Sequence, residues 1–151
     1  MKKLATIGYE GSSQKAVLET LKEAGIDLLV DVRAVVSSRK PGFSKNQLAS
    51  ALDGIGIDYV HLRDLGTPKE GRDASHARDW TAFNRIYAAQ MRTGGAKHDY
   101  ETLLEMMKTG KKICLMCFEH DPAHCHRAIL AERVHDDLGA RIAHLMPETA
   151  D

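Results

Sequence analysis

The sequence predicts an α/β fold, a three-layer α/β/α sandwich with a mostly parallel sheet of about five strands. Three observations carry that expectation. Short apolar runs alternate with segments whose apolar residues recur at helical spacing, along the whole chain. Two of the runs, Leu28-Leu29-Val30 and Ile113-Cys114-Leu115-Met116-Cys117, are apolar on both faces, as strands covered by helices on both sides must be. No repeat, low-complexity tract or linker divides the 151 residues, so one domain over 1–151 is expected.

Leu4 to Tyr9 reads as the first strand, ended by Glu10-Gly11. Ser12 or Ser13 can cap a helix that carries Val17, Leu18, Leu21 and Ala24 on one face and stops at Gly25. Ile26 to Val32 is the second strand, and Arg33 to Phe43 a basic loop too broken by Pro41-Gly42 to be regular. Ser44 with Gln47 has the spacing of a capping box ahead of a helix through Leu48 and Leu52. Ile57 to Leu62 is the third strand. The polar stretch Leu65 to Arg78, with Gly66, Pro68 and Gly71, reads as a long functional or mobile loop. Trp80, Phe83, Tyr87 and Met91 mark one helix packed on the core, and Tyr100, Leu103, Leu104 and Met107 another, with Gly94-Gly95 between them. Lys111 to Phe118 is the most apolar strand. Asp121-Pro122 then opens a helix as cap and first-turn proline, along which Leu130, Val134 and Leu138 recur. Arg141 to Leu145 makes a closing strand.

Composition narrows the function classes. Lys plus Arg and Asp plus Glu number 21 each, so overall charge gives no reason to expect a duplex nucleic acid or a membrane surface as partner. The apolar run after Met1-Lys2-Lys3 lasts only from Leu4 to Ile7, too short for a secretory core, and no run approaches a membrane span. A cytoplasmic location is therefore expected. There Cys114, Cys117 and Cys125 would be free, catalytic or metal-bound rather than structural disulfides. Cys114 and Cys117 would point to opposite faces of their strand.

In open parallel sheets ligands bind beyond the carboxyl ends of the strands. Nearly every strand here ends in ionisable or polar groups: Tyr9 and Glu10, Asp31 and Arg33, His61, then Cys117 and Glu119. The segment Cys117 to Arg127 is the richest in the chain. Cys125 falls near a helix start, where unpaired N–H groups favour a thiolate or simply hold an anion, and His126 and Arg127 follow it. The alternative for Cys125 is a buried apolar residue under the helix. Arg33, Arg39, Lys40 and Lys45 crowd one loop with Phe43, a combination that suits a phosphate and a stacked base. His76, His98 and His135 read as surface residues and His144 as part of the closing strand. The run Leu29-Val30-Asp31-Val32-Arg33 looks like a rhodanese strand. The Cys-to-Arg anion loop of those enzymes is nevertheless missing, since Ala123 and Ala131 stand where the Arg would follow Cys117 and Cys125.

Taken in order, Thr6-Ile7-Gly8-Tyr9-Glu10-Gly11, Asp31-Val32-Arg33, Ser38-Arg39-x-Pro41-Gly42-Phe43-Ser44, Tyr59-x-His61 with Leu65-Gly66, Met116-Cys117-x-Glu119 and Cys125-His126-Arg127 resemble the domain of unknown function 488 family over almost the whole chain. Val35-Val36 depart from it where the family often has a proline. The resemblance implies a compact α/β fold with Tyr9, Glu10, Asp31, Arg33, Arg39, Glu119, Cys125, His126 and Arg127 as signature positions, and implies no particular reaction.

The residues lead to the expectation of an enzyme acting on a nucleotide, a nucleic-acid fragment or another small phosphorylated ligand. Glu10, Glu119 and Cys125 would be the catalytic groups. Tyr9, Asp31, Arg33, Arg39, Phe43, His61, Cys117, His126 and Arg127 would line the substrate, and neither a cofactor nor a metal is required. The alternatives are a nucleotide or single-strand binding module without chemistry, and a thiol- or metal-dependent protein using Cys117, Cys125 and His126.

Overall fold

The computed structural model describes residues 2–149. In chain order its elements are β1 (Lys3–Gly8), α1 (Gln14–Glu23), β2 (Leu28–Asp31), α2 (Lys45–Asp53), β3 (Asp58–His61), a 3-10 turn at Arg63–Leu65, α3 (Lys69–His76), α4 (Trp80–Met91), α5 (Gly94–Met107), β4 (Ile113–Cys117), a second 3-10 turn at Pro122–His124, α6 (His126–Leu138) and β5 (Arg141–Leu145). All five strands are parallel, in the order β3-β2-β4-β1-β5.

Two separate apolar clusters make this a three-layer sandwich. Side chains alternate along each strand, so β4 sends Ile113, Leu115 and Cys117 to one face and Cys114 and Met116 to the other. The first face is covered by α4, α5 and α6 through Tyr87, Met91, Tyr100, Leu103, Met107, Leu130 and Val134. The second is covered by α1 and α2 through Val17, Leu21, Leu48 and Leu52. Cys114 and Cys117 therefore do face opposite ways. The chain leaves β1 for α1 on one face and leaves β4 for α6 on the other. The connections that follow these two neighbouring strands thus diverge to opposite faces, which opens a crevice at the carboxyl ends.

Several local expectations are corrected. Leu65 to Arg78 is not a long loop: Pro68 precedes α3, a helix whose one buried residue is Gly71. That helix has no apolar stripe because it packs through its missing side chain. A Cβ on Gly71 would lie 2.4 Å from the Thr67 methyl and 3.2 Å from Ile86 of α4. Gly94-Gly95 do not separate helices but begin α5, capped by the Thr93 hydroxyl. Ser44 stands at the N-cap of α2 without capping it, because its hydroxyl is taken by the Ser38 backbone, and Gln47 reaches back to the Gly42 N–H. Asp121 caps only the 3-10 turn, and α6 starts afresh with Cys125 as its N-cap. Trp80 is half-buried and stacks on the His124 ring at 4.5 Å. Among the described residues no helix is long and apolar enough to cross a membrane.

Candidate functional site

At the carboxyl ends of β1, β2 and β4 lies a cavity of about 110 Å³. Of the strand-end residues named from the sequence, Tyr9, Arg33, Cys117 and Glu119 line it and Glu10, Asp31 and His61 do not; His126 from the start of α6 lines it too, together with Phe118, Ala34 and Val35. Thr67, Arg72, Ser75 and Phe83 complete the wall and were not anticipated. Their signal was present in the sequence: Arg72 and Ser75 are three apart and share one face of a helix that Pro68 can start.

One half of the site is a buried polar knot. Asp31 is fully buried. Its carboxylate accepts from Arg33 Nε at 2.9 and 3.1 Å, from Arg33 Nη2 at 2.7 Å, and from the Tyr59 hydroxyl. Arg33 Nη1 donates to the Tyr9 hydroxyl at 3.1 Å and to the Phe43 carbonyl at 2.7 Å. Most of the guanidinium fork is thus engaged within the protein. The Phe43 ring is buried and stacked on Tyr9, centroids 4.3 Å apart. His61 bonds the Arg33 carbonyl at 2.6 Å. Burial, and after it the Asp31 carboxylate, holds the Tyr59 hydroxyl protonated far above its usual range.

The other half is built from the end of β4 and the start of α6. The Pro122–His124 turn doubles the chain back, so Cys117 and Cys125, eight residues apart, meet and are joined as a disulfide. The expectation of cysteines that are free, catalytic or metal-bound rather than in a disulfide fails for this pair, because it rested on the expected compartment and not on how closely the turn brings the two sulfurs together. Cys114 is free, and burial raises its thiol far above the usual range. Arg127 is fully buried. Its Nη1 donates to Cys117 Sγ at 3.2 Å and to the Glu119 carbonyl, and its Nη2 to the His120 carbonyl at 3.1 Å. The Arg127 backbone N–H points at Cys125 Sγ, 3.5 Å away. Glu119 Oε2 lies 3.5 Å from Cys117 Sγ. Burial raises the Glu119 carboxyl above the carboxylate range, against the opposing pull of its backbone hydrogen bond and of Arg127. Glu10 and Arg39 are exposed. Glu10 accepts the His120 N–H at 3.2 Å.

His126 is buried, with Nε2 2.8 Å from the Val32 carbonyl. That acceptor fixes the proton on Nε2 and leaves Nδ1 as a bare lone pair, 3.9 Å from Cys125 Sγ. Burial pushes the imidazole down to about 4 from its ordinary 6.5, although the Val32 carbonyl pulls the other way. Between those pH values the unfolded chain takes a proton that the folded chain refuses. The stability present above pH 6.5 is therefore lost as pH falls toward 4. Urea midpoints measured across this range are expected to fall more steeply for the wild type than for His126→Asn. Parallel slopes would contradict this.

A profile of the family described as Domain of unknown function DUF488 matches residues 13–134. The chain belongs to the DUF488 family. The match takes in α1 through most of α6, and with them every residue of the cavity wall except Tyr9. No curated protein matches this DUF488 chain.

Proposed function

We propose that this chain is an enzyme acting on a small anion-bearing substrate, of the phosphorylated nucleotide kind, by acid–base chemistry in the cavity at the strand ends. The observation that carries the reading is Thr67. Its hydroxyl oxygen is buried on the cavity wall and has no hydrogen-bond partner among the described residues. A buried polar group left so costs about 1–3 kcal/mol, which a ligand oxygen would recover once a small movement of the wall lets it reach the hydroxyl. Arg72 and Ser75 stand on the same wall. Arg72 spends Nη1 on the Thr67 carbonyl at 2.8 Å, which steers its fork into the cavity.

In this reading Arg72, Ser75 and Thr67 seat the anion, because Arg33 and Arg127 are engaged by protein acceptors. Those two arginines, with Asp31, Phe43 and His61, hold the wall in place. Glu119, half-buried at the cavity's edge, is the proton carrier, and Tyr9 orients the substrate. Glu10 holds the His120 backbone and thereby the Glu119 loop. Only part of a nucleotide fits in about 110 Å³, so the remainder would project through the mouth past exposed Val35 and Phe118.

A thermal-shift series with inorganic phosphate, nucleotides and nucleosides tests this. A ligand at about a hundred times its dissociation constant stabilises by about 2.7 kcal/mol, on the order of 5–10 °C for a chain of this length. The shift is expected with a phosphorylated class and lost in Arg72→Ala. Glu119→Gln should keep the shift and lower turnover by roughly 10²–10⁴. No shift with any anion would refute the reading.

A second reading, thiol chemistry of the reduced chain, has its own support: Cys117 lines the same cavity and accepts an N–H from Arg127, a contact that would favour a thiolate once the disulfide is opened.

A further inference from the structure

The cysteine pair and His126 do more together than a disulfide needs. Cys117 Sγ, Cys125 Sγ and a ring nitrogen of His126 all lie within 4.8 Å of one another, and all three residues are buried. We propose that the reduced chain binds one zinc-class divalent cation through Cys117, Cys125 and His126 Nδ1, with a fourth coordination position open to the cavity. The proposal deepens the cavity reading above and relies on it only for where the open position points.

Four features carry it. The donor set, two sulfurs and an imidazole, is the soft-to-borderline kind that selects zinc over magnesium or calcium. The histidine is held in the tautomer a ligand requires. Its Nε2–H is taken by the Val32 carbonyl at 2.8 Å, and metal-bound histidines usually anchor their far nitrogen in this way. Both sulfurs already accept N–H donors, from Arg127 Nη1 at 3.2 Å and from the Arg127 backbone at 3.5 Å, and such contacts stabilise thiolates. The spacing also fits. Zinc–sulfur bonds of about 2.3 Å and a zinc–nitrogen bond of about 2.0 Å in a tetrahedron set sulfur and nitrogen about 3.5 Å apart. Cys125 Sγ and His126 Nδ1 are 3.9 Å apart. The Cα atoms of the two cysteines stand 7.5 Å apart, which leaves room for an ion between their side chains.

Cys117 and His126 line the cavity while Cys125 is buried and does not, so the cavity is the open side from which a fourth ligand would arrive. Three protein ligands with one open position is the arrangement of catalytic rather than structural zinc, and its class of reaction is metal-assisted hydrolysis. The disulfide must open first. Two equivalents of a thiol, or one of a phosphine with water, supply two electrons and two protons and yield two thiols. Metal binding then releases those two protons.

The test uses cobalt(II) as a spectroscopic stand-in for zinc. Full-length protein is reduced with a phosphine, freed of metal and titrated with cobalt. One equivalent per chain is expected, with the near-ultraviolet thiolate-to-cobalt absorption and the strong visible bands of a four-coordinate site. Cys117→Ser and Cys125→Ser should lose the near-ultraviolet absorption, and His126→Asn should weaken binding at least tenfold. Protein oxidised to the disulfide keeps its wild-type sequence and should bind none, which guards against variants that simply fail to fold. Inorganic phosphate should shift the visible bands through the open position. Absence of absorption in reduced protein with a native circular dichroism spectrum would overturn the proposal. So would equal uptake by the cysteine variants, and bands indifferent to phosphate would overturn the open position. If cobalt never binds while phosphate still raises the melting temperature in an Arg72-dependent way, the metal falls and the cavity reading stands. Cobalt binding without that phosphate shift gives the reverse.

Discussion

Asp31→Ala is expected to destabilise the fold by about 3–5 kcal/mol, the usual cost of removing one partner from a buried ion pair. For a chain of this length that lowers the melting temperature by roughly 6–20 °C. Asp31 and Arg33 are almost completely withdrawn from water, and their nitrogen and oxygen are 2.7 Å apart. Without the carboxylate, Arg33 keeps a charge in an apolar surrounding with only the Tyr9 hydroxyl and the Phe43 carbonyl as acceptors, and the Tyr59 hydroxyl loses its partner. Losses should therefore spread through the basic loop, which Arg33 ties down at Phe43. Asp31→Leu combined with Arg33→Met should recover much of the stability, because no uncompensated charge remains. Calorimetry on both decides the matter. A single variant that melts within two degrees of wild type would show that water reaches the pair. If the double variant were no better than the single, the hydrogen bonds to Phe43 and Tyr9 would be the larger contribution.

The sheet was legible in the sequence because its signal is local: period-two burial and doubly apolar runs are properties of neighbours along the chain. The same holds for the opposed faces of Cys114 and Cys117, and for Gly25 ending α1 at a φ of 70°. Helix α3 was missed because it buries Gly71 where a helix usually buries leucine, so the apolar stripe that announces a helix is absent. Of the site, the strand-end residues were legible from topology alone. Their partnerships were not, since they join distant segments: Asp31 with Tyr59 and His126 with Val32. Charge was also misleading on its own. Arg33 and Arg127 look like anion binders in sequence, yet acceptors of the same chain engage most of the Arg33 fork and both terminal nitrogens of Arg127. Arg72 lines the cavity as well, with only one hydrogen bond to a protein acceptor, and it sat in a segment without periodicity.

Gly8→Ala is expected to disrupt the site and the fold together, at a cost of about 3 kcal/mol or more, the upper end for an overfilled core. Gly8 ends β1 beside the end of β4. There the Tyr9 N–H bonds the Cys117 carbonyl at 3.3 Å and the Glu10 N–H bonds the Phe118 carbonyl at 2.7 Å. The two strands continue to pair where their helices have already parted. A Cβ at Gly8 would overlap the Glu119 carbonyl and come within 3.0 Å of Arg127 Nη1. The obstacle is backbone, so no side-chain rotation relieves it. Either β1 separates from the Glu119 segment or Glu119, Cys117 and Arg127 move as a group. The same approach brings the Glu119 carbonyl to Arg127, which in turn touches Cys117. Gly66→Ala makes a useful comparison. Its Cβ would also meet backbone, 2.4 Å from the Ala34 nitrogen, but on the Ala34 side of the cavity, away from the sulfurs. Both should lower the melting temperature. Only Gly8→Ala should also change the reactivity of the Cys117–Cys125 pair toward a phosphine, read as the rate at which free thiols appear. Equal rates in the two variants would mean that the close approach at Gly8 serves packing alone and does not position the sulfurs.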